Sequence, residues 1–339
     1  MASTAWSSEF DPSTLTADEL LGLATEIFSQ SGCLPALDIE PKAFGSFVVR
    51  IRAHYRANSY HCFAHACHVL LNASRLLGDL QAADAVAFTA EERFALLFAA
   101  LVHDLDHPGH TNMFEIERSS ELARRYNDQS VLEMHSISLA YKLADSDNLF
   151  SGIADAAKRK TLRARVVELV LATDIGPPSG ADRNMLIKAK WDAAFAGGYD
   201  LAGSESQRMC VLVQLMRAAD VGSAMQPYHI FANWSHRLSI ESNRAFGLTP
   251  EAHTKTQGPF MGKYCLPLIR LIRKYPILNS GAEMEENVAK NLERWMGLSI
   301  AEQCADLVRN YKPSPGEGDD SVGSGAGAAA AVASESVDQ

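Results

Sequence analysis

Within the segment Leu101-Val-His-Asp-Leu-Asp-His-Pro-Gly-His-Thr-Asn112, two histidines and two aspartates crowd into five residues, as His103, Asp104, Asp106 and His107. Imidazoles and carboxylates at the end of an apolar helix are poor packing material and good ligands for a divalent cation. Neighbouring residues on an undisturbed helix point about 100° apart and rarely serve one site. Here Pro108 pushes His107 out of the helical region and Gly109 allows a turn, so the group is expected where the helix gives out. The stretch reads as half of a metal site, and the remaining ligands must come from elsewhere in the chain.

Three other places offer them. His61 and His65 are four residues apart and share a face if a helix begins near Tyr60. That spacing alone does not separate a ligand pair from two surface or core histidines, and His68 reads as a bystander. Asp220 closes the apolar run Val211-Leu-Val-Gln-Leu-Met-Arg-Ala-Ala-Asp220. A carboxylate on the buried side of a helix is costly unless a cation meets it, and that cation is either a metal or Arg217, one turn earlier. Glu133 and Asp174 lie at the edges of apolar helices, where an acid is also found as a cap or a solvated residue. Taken together these groups form a His and carboxylate set without a thiolate, which suits Zn²⁺, Mg²⁺ or Mn²⁺.

The elements that must position them all read as helices. Thr16-Ala-Asp-Glu19 and Thr89-Ala-Glu-Glu92 are capping boxes, the second opening the helix that ends at His103. In that helix Phe94, Leu97, Phe98 and Leu101 fall at i, i+3, i+4 and i+7, a core face. Helical periodicity is predicted again at residues 20–29, 43–55, 121–126, 130–144, 155–173, 183–196, 206–219, 228–244, 260–275 and 283–310. No run alternates with the period of a strand, so the fold class is all-α. From Pro313 the composition collapses to Pro, Gly, Ser, Ala and acid, which cannot bury enough apolar surface to offset ordering. The expected organisation is a flexible N-terminus over 1–15, one body over 16–312 and a disordered tail over 313–339.

Composition narrows the functional classes. With 339 residues, 47% hydrophobic and 21% charged, the chain has the make-up of a globular protein with a substantial core. A net charge of −10 argues against a nucleic-acid partner and requires local cations to attract an anionic substrate. The longest apolar run, Phe94 to Val102, is too short to cross a bilayer. Six scattered cysteines and an opening without a secretory signal point to a reducing compartment, hence a cytoplasmic protein.

The motifs Tyr60-His61-x-x-x-His65-Ala66 and His103-Asp104-x-Asp106-His107-Pro108-Gly109-x-x-Asn112 resemble the class I cyclic nucleotide phosphodiesterase catalytic domain, of the HD superfamily of metal-dependent phosphohydrolases. The resemblance continues through residues 120–135, Leu171 to Asp174, Ala218 to Asp220, Trp234, Glu241, Gln257 and Phe260, covering roughly Leu20 to Asn310. It implies a compact bundle of about sixteen helices that hydrolyses cAMP, cGMP or both to the 5′-monophosphate. It further implies a first metal, usually zinc, on His65, His103, Asp104 and Asp220. Asp104 would bridge to a second metal, usually magnesium (or manganese), held mostly by water. His61 would be the general acid. His107, Asn112, Glu133, Thr173 and Asp174 would steady ligands and waters. Gln257 would bond the purine edge, Phe260 would stack on the base, and Leu238 and Tyr60 would complete the pocket. Departures from the family pattern are Cys62 for Asn, His68 for Asp, Arg217 for His, Gly222-Ser223-Ala224 for Ser-Asn-Pro, and no His after Asp174. The alternatives are another HD-type phosphohydrolase and a catalytically silent nucleotide-binding module; the resemblance leaves oligomeric state open.

Overall fold

A computed structural model describes residues 8–82, 88–273 and 279–315. Among these residues there are sixteen α-helices and no strand. The first half comprises α1 (Ala17–Ser31), α2 (Cys33–Ala36), α3 (Pro41–His54), α4 (Phe63–Ala82), α5 (Ala90–Val102), α6 (Asn112–Glu117), α7 (Glu121–Tyr126) and α8 (Val131–Ser146). The second comprises α9 (Ala156–Leu171), α10 (Ser179–Phe195), α11 (Glu205–Asp220), α12 (Tyr228–Phe246), α13 (Pro250–Phe260), α14 (Leu266–Arg273), α15 (Asn279–Gly297) and α16 (Ile300–Asn310). No helix of the described residues is long and apolar enough to cross a membrane.

The bundle is built around α5. Both predicted capping boxes form, at Thr16 with Glu19 and at Thr89 with Glu92, so α1 and α5 start where the sequence places them. The four-residue core face expected for α5 proves too narrow. Every residue from Phe94 to Val102 is buried, because α4, α9 and α11 surround the helix. Phe94 and Phe98 join Phe28, Phe44 and Phe47 in an aromatic cluster that ties α1 and α3 to this centre.

Several expectations need correction. Asp11 and Ser13, assigned to a flexible N-terminus, are buried in a short 3₁₀ turn. Asp11 accepts hydrogen bonds from Asn233 Nδ2 (2.9 Å) and Trp234 Nε1 (3.1 Å) on α12. The contact joins residues more than 200 positions apart, so local periodicity carries no trace of it. Residues 1–7 of that segment, and residues 316–339 of the expected disordered tail, lie outside the described residues. Ser314, counted with the tail, accepts a hydrogen bond from the buried Arg237 at 3.1 Å.

The helix expected over 283–310 is two, because Ser299 caps α16 in a box with Glu302. The segment Pro250–Phe260, of which only the last residue falls in an expected helix, is helix α13. A π-helical turn, Met261–Cys265, follows Pro259 and absorbs the disturbance before α14 begins.

Candidate active site

Three distant segments converge on one point. His65 lies in the first turn of α4, His103 and Asp104 follow the last turn of α5, and Asp220 ends α11. His103 Nε2 is 3.1 Å from Asp104 Oδ2 and 3.3 Å from Asp220 Oδ1. His65 Nε2 is 3.5 Å and 3.3 Å from the same two oxygens. His103 Nδ1 lies 3.0 Å from the Ala100 carbonyl, which can only accept, so Nδ1 carries a proton and Nε2 is the nitrogen that faces the cluster. Burial raises Asp220, but His103 and His65 overcome it and hold the carboxyl at about 2.

Both Nε2 atoms, and Nδ1 of His65, are buried without a hydrogen-bond partner. An orphaned buried imidazole nitrogen is costly. Here two of them face two ionised carboxylates, with the nitrogens and an Asp220 oxygen within 4.8 Å of one another. Two nitrogens and two hard oxygens without sulfur match a divalent cation. Arg217, the other partner considered for Asp220, points elsewhere, to Tyr264, Gln214 and Asn184.

The other half of the HDxDH group goes to separate places. Asp106, past the end of α5 at Val102, adopts a left-handed conformation (φ 61°) before Pro108 is reached, and its carboxylate bonds Arg56 and His135 at 2.7 and 2.8 Å. It does not join the cluster. His107 stacks on His61, with ring centroids 3.9 Å apart. Asn58, which no local pattern singles out, donates to the carbonyls of both histidines, at 3.1 Å to His61 and 2.7 Å to His107.

His61 precedes α4, so it does not share a helical face with His65. Glu241, from α12, positions it. One carboxylate oxygen accepts from the Tyr60 and His61 amides at 2.9 and 3.0 Å, and the other bonds His61 Nδ1. Burial opposes charge on His61, yet Glu241, Asp104 and Asp220 raise it to about 9. Burial and the neighbouring His61 charge lower His107 to about 3, and its Nδ1 accepts from the Gly109 amide at 3.1 Å. One stacked ring is thus an imidazolium at neutral pH and the other is neutral.

Behind the cluster, Asn112 Nδ2 donates to Glu133 (3.0 Å) and Asp174 (3.4 Å), while its Oδ1 accepts from the Leu132 amide (2.9 Å). Burial and the Asp174 charge raise Glu133 to about 7. Ser130 donates to Asp174 at 2.6 Å and accepts from Arg183 at 2.7 Å, extending the network to two residues not expected in it. Thr173 does not join by hydrogen bond; its hydroxyl donates to Val170 O at 2.8 Å.

Tyr60, Leu238, Gln257 and Phe260 line one cavity of about 200 Å³, together with Ser223 and Thr256. Tyr60 connects it to the cluster, since its ring centroid lies 4.6 Å from that of His65 and 4.8 Å from that of His61. Phe260 stacks on Tyr264 (5.5 Å), which also lies under the Arg217 guanidinium (5.3 Å). A planar apolar ligand entering beside Phe260 would therefore place its polar end near the His and Asp group.

Comparison with known proteins identifies the family and the fold. A family model described as 3′5′-cyclic nucleotide phosphodiesterase matches residues 60–276. The chain is 33% identical over 227 residues to mouse 3′,5′-cyclic-AMP phosphodiesterase 4C, covering 66% of this chain and 32% of that protein. It is 36% identical over 224 residues to isoform F of the Drosophila melanogaster 3′,5′-cyclic-AMP phosphodiesterase, covering 65% and 33%. The matched part spans about a third of the length of these curated relatives. The crystal structure of the phosphodiesterase domain of Salpingoeca rosetta rhodopsin phosphodiesterase superimposes with a TM-score of 0.77 at 29% identity, covering 91% of this chain and 95% of that one.

Proposed function

The chain belongs to the 3′,5′-cyclic nucleotide phosphodiesterase family, and from that premise we propose that it hydrolyses 3′,5′-cyclic nucleotides to nucleoside 5′-monophosphates. The observation that carries this reading is the convergence of His65, His103, Asp104 and Asp220 beside an imidazolium at His61.

Those four residues would hold the first divalent ion, zinc, and Asp104 would share itself with a second, magnesium or manganese. Bound there, the metals would supply Lewis-acid polarisation of the phosphoryl oxygens and a water nucleophile at neutral pH. The chain's own residues do the rest. Gln257 bonds the base edge while Phe260 and Leu238 sandwich the ring, which orients the cyclic phosphate toward the cluster. His61 gives its proton to O3′ as the P–O3′ bond breaks, and Glu241 keeps it charged and aimed. His107, neutral and stacked, buttresses the acid without competing for its proton. Asn112, Glu133 and Asp174 fix the far side of the cluster through their hydrogen bonds, and Thr173 holds the chain turn beside them. The curated relatives are named for cAMP, which makes cAMP the first substrate to test. The catalytic unit is proposed over residues 16–312, and the hydrogen bonds of Asp11 and Ser314 support including these flanking residues.

Purified chain incubated with cAMP or cGMP should yield 5′-AMP or 5′-GMP, and EDTA should abolish the reaction. Asp220→Ala should lose bound metal by elemental analysis. His61→Ala should keep its metal and lose on the order of 10²- to 10⁴-fold in kcat. Binding of cyclic nucleotide by metal-loaded protein without turnover would instead identify a silent binding module.

A further inference from the structure

A cavity of about 430 Å³, larger than the pocket beside the metal cluster, opens between α9, α10 and α11. Its floor is aliphatic, made by Val167, Leu171, Ile187 and Val213. Leu186 forms part of the wall and is 50% exposed, an apolar side chain left in water at a cavity mouth. Lys160, Arg163 and Arg183 also line it. No described ion pair occupies Lys160, and Arg163 makes only a cation–π contact with Tyr141, 4.6 Å from its ring centroid. A fourth cation, Lys190, is already neutralised by Glu168 at 2.6 Å.

Arg183 faces two ways. One terminal nitrogen donates to Ser130 at 2.7 Å, and Ser130 donates to Asp174 at 2.6 Å. Its Nε is buried without a hydrogen-bond partner. The same side chain thus belongs to the wall of this cavity and to the network that reaches Asn112 and Glu133 behind the metal cluster.

We propose that this cavity binds a monomeric medium-chain alkyl carboxylate, and that Arg183 transmits its occupancy to the hydrolytic site. An aliphatic floor rejects a bare inorganic anion, which would lose hydration for nothing. Lys160 and Arg163 have no carboxylate of their own, Arg183 is only partly offset by Asp174, and the one lining carboxylate, Glu168, is taken by Lys190, so the wall keeps a positive excess that rejects an alkylammonium. An alkyl chain covering Leu186 and the floor, with its carboxylate on Arg183 and the field of Lys160 and Arg163 along the same wall, satisfies both. Drawing Arg183 toward the ligand weakens its hold on Ser130, and through Ser130 on Asp174. The binding claim is independent of the hydrolase reading, whereas the effect on turnover rests on it.

Decanoate, titrated by calorimetry into the full chain below its micelle concentration, is expected to bind about tenfold tighter than decylamine or decanol. Lengthening the chain from octanoate to decanoate should tighten binding, by at most about fourfold per methylene. Ala164→Trp, at an exposed position of the cavity wall, should abolish binding with the thermal midpoint retained. Lys160→Glu should weaken it about fivefold. Neither residue belongs to the hydrolytic machinery, so both variants keep basal turnover. Saturating decanoate should lower turnover of cyclic nucleotide in the parent chain and leave Ala164→Trp unaffected. Equal binding of decanoate and decylamine, or binding indifferent to both substitutions, overturns the site. Binding that responds to both variants but leaves turnover unchanged overturns the role of Arg183. A chain that binds decanoate yet never hydrolyses cyclic nucleotide refutes the hydrolase reading while supporting the cavity, because the heat of binding is read independently.

Discussion

An unperturbed imidazole titrates near 6.5 and would be mostly neutral where a cell works. A general acid at His61 must therefore be kept charged by its surroundings, and Glu241 is the largest favourable contribution. Glu241→Gln removes that charge while leaving an oxygen for the backbone amides. The alkaline limb of kcat/KM should then move to lower pH, and a pH–rate series reads it. An unmoved limb would remove His61 from the role of acid. The same pair has a stability signature. His61 is raised in the folded state, so its contribution is complete below its ordinary value of 6.5 and is lost as pH rises through about 9. Glu241 is lowered to about 2, against burial, by His61, so its contribution is complete above 4.5 and is lost as pH falls toward 2. Denaturant midpoints measured across pH should show the pair contributing most between about 4.5 and 6.5 in the parent and not in Glu241→Gln.

At the scale of elements, the junction after α11 decides where Asp220 sits. Gly222 stands there in place of the family's usual Ser, and the space a Cβ would occupy is filled by the amide of Asn72, 2.3 Å from that position. Asn72 is buried on α4 and donates to the Ala219 carbonyl at 3.3 Å, beside Asp220. The glycine and the asparagine are thus one device: the missing side chain lets α4 hold the end of α11. Gly222→Ala should push Asn72 aside and cost roughly 1–3 kcal/mol in chemical denaturation. It should also weaken metal retention, read by elemental analysis after dialysis. A variant as stable as the parent would show that the amide has another place to go.

Across the whole molecule, the first described residues close the bundle onto α12. Asp11 holds Asn233 and Trp234, and the Trp234 ring lies over His68 (5.1 Å) and beside Tyr60 (5.6 Å) and His65 (5.7 Å). This is the physical use of His68, otherwise a bystander: burial lowers it to about 4, so it packs as a neutral ring. Asp11→Ala strands two buried donors and should destabilise the fold by about 1–3 kcal/mol, measured as a lower denaturation midpoint. A flexible terminus would give no change.

Local sequence carried a definite share of this architecture. Residue spacing determined that α1 and α5 begin at Thr16 and Thr89, because capping boxes and apolar periodicity are interactions among neighbours along the chain. The family motifs named His65, His103, Asp104, Asp220 and the pocket residues, and the structure draws these together. What only the tertiary structure decided were the pairings across long separations: Glu241 with His61, Asn58 with His107, Asn72 with the gap at Gly222, Asp11 with Trp234, Arg183 with Ser130. It also separated Asp106 and His107 from His103 and Asp104 beside them. A side chain's type and spacing report what it can bond within a turn or two of its own backbone. Which distant partner it meets depends on how whole helices cross, and nothing in a short window of residues encodes that.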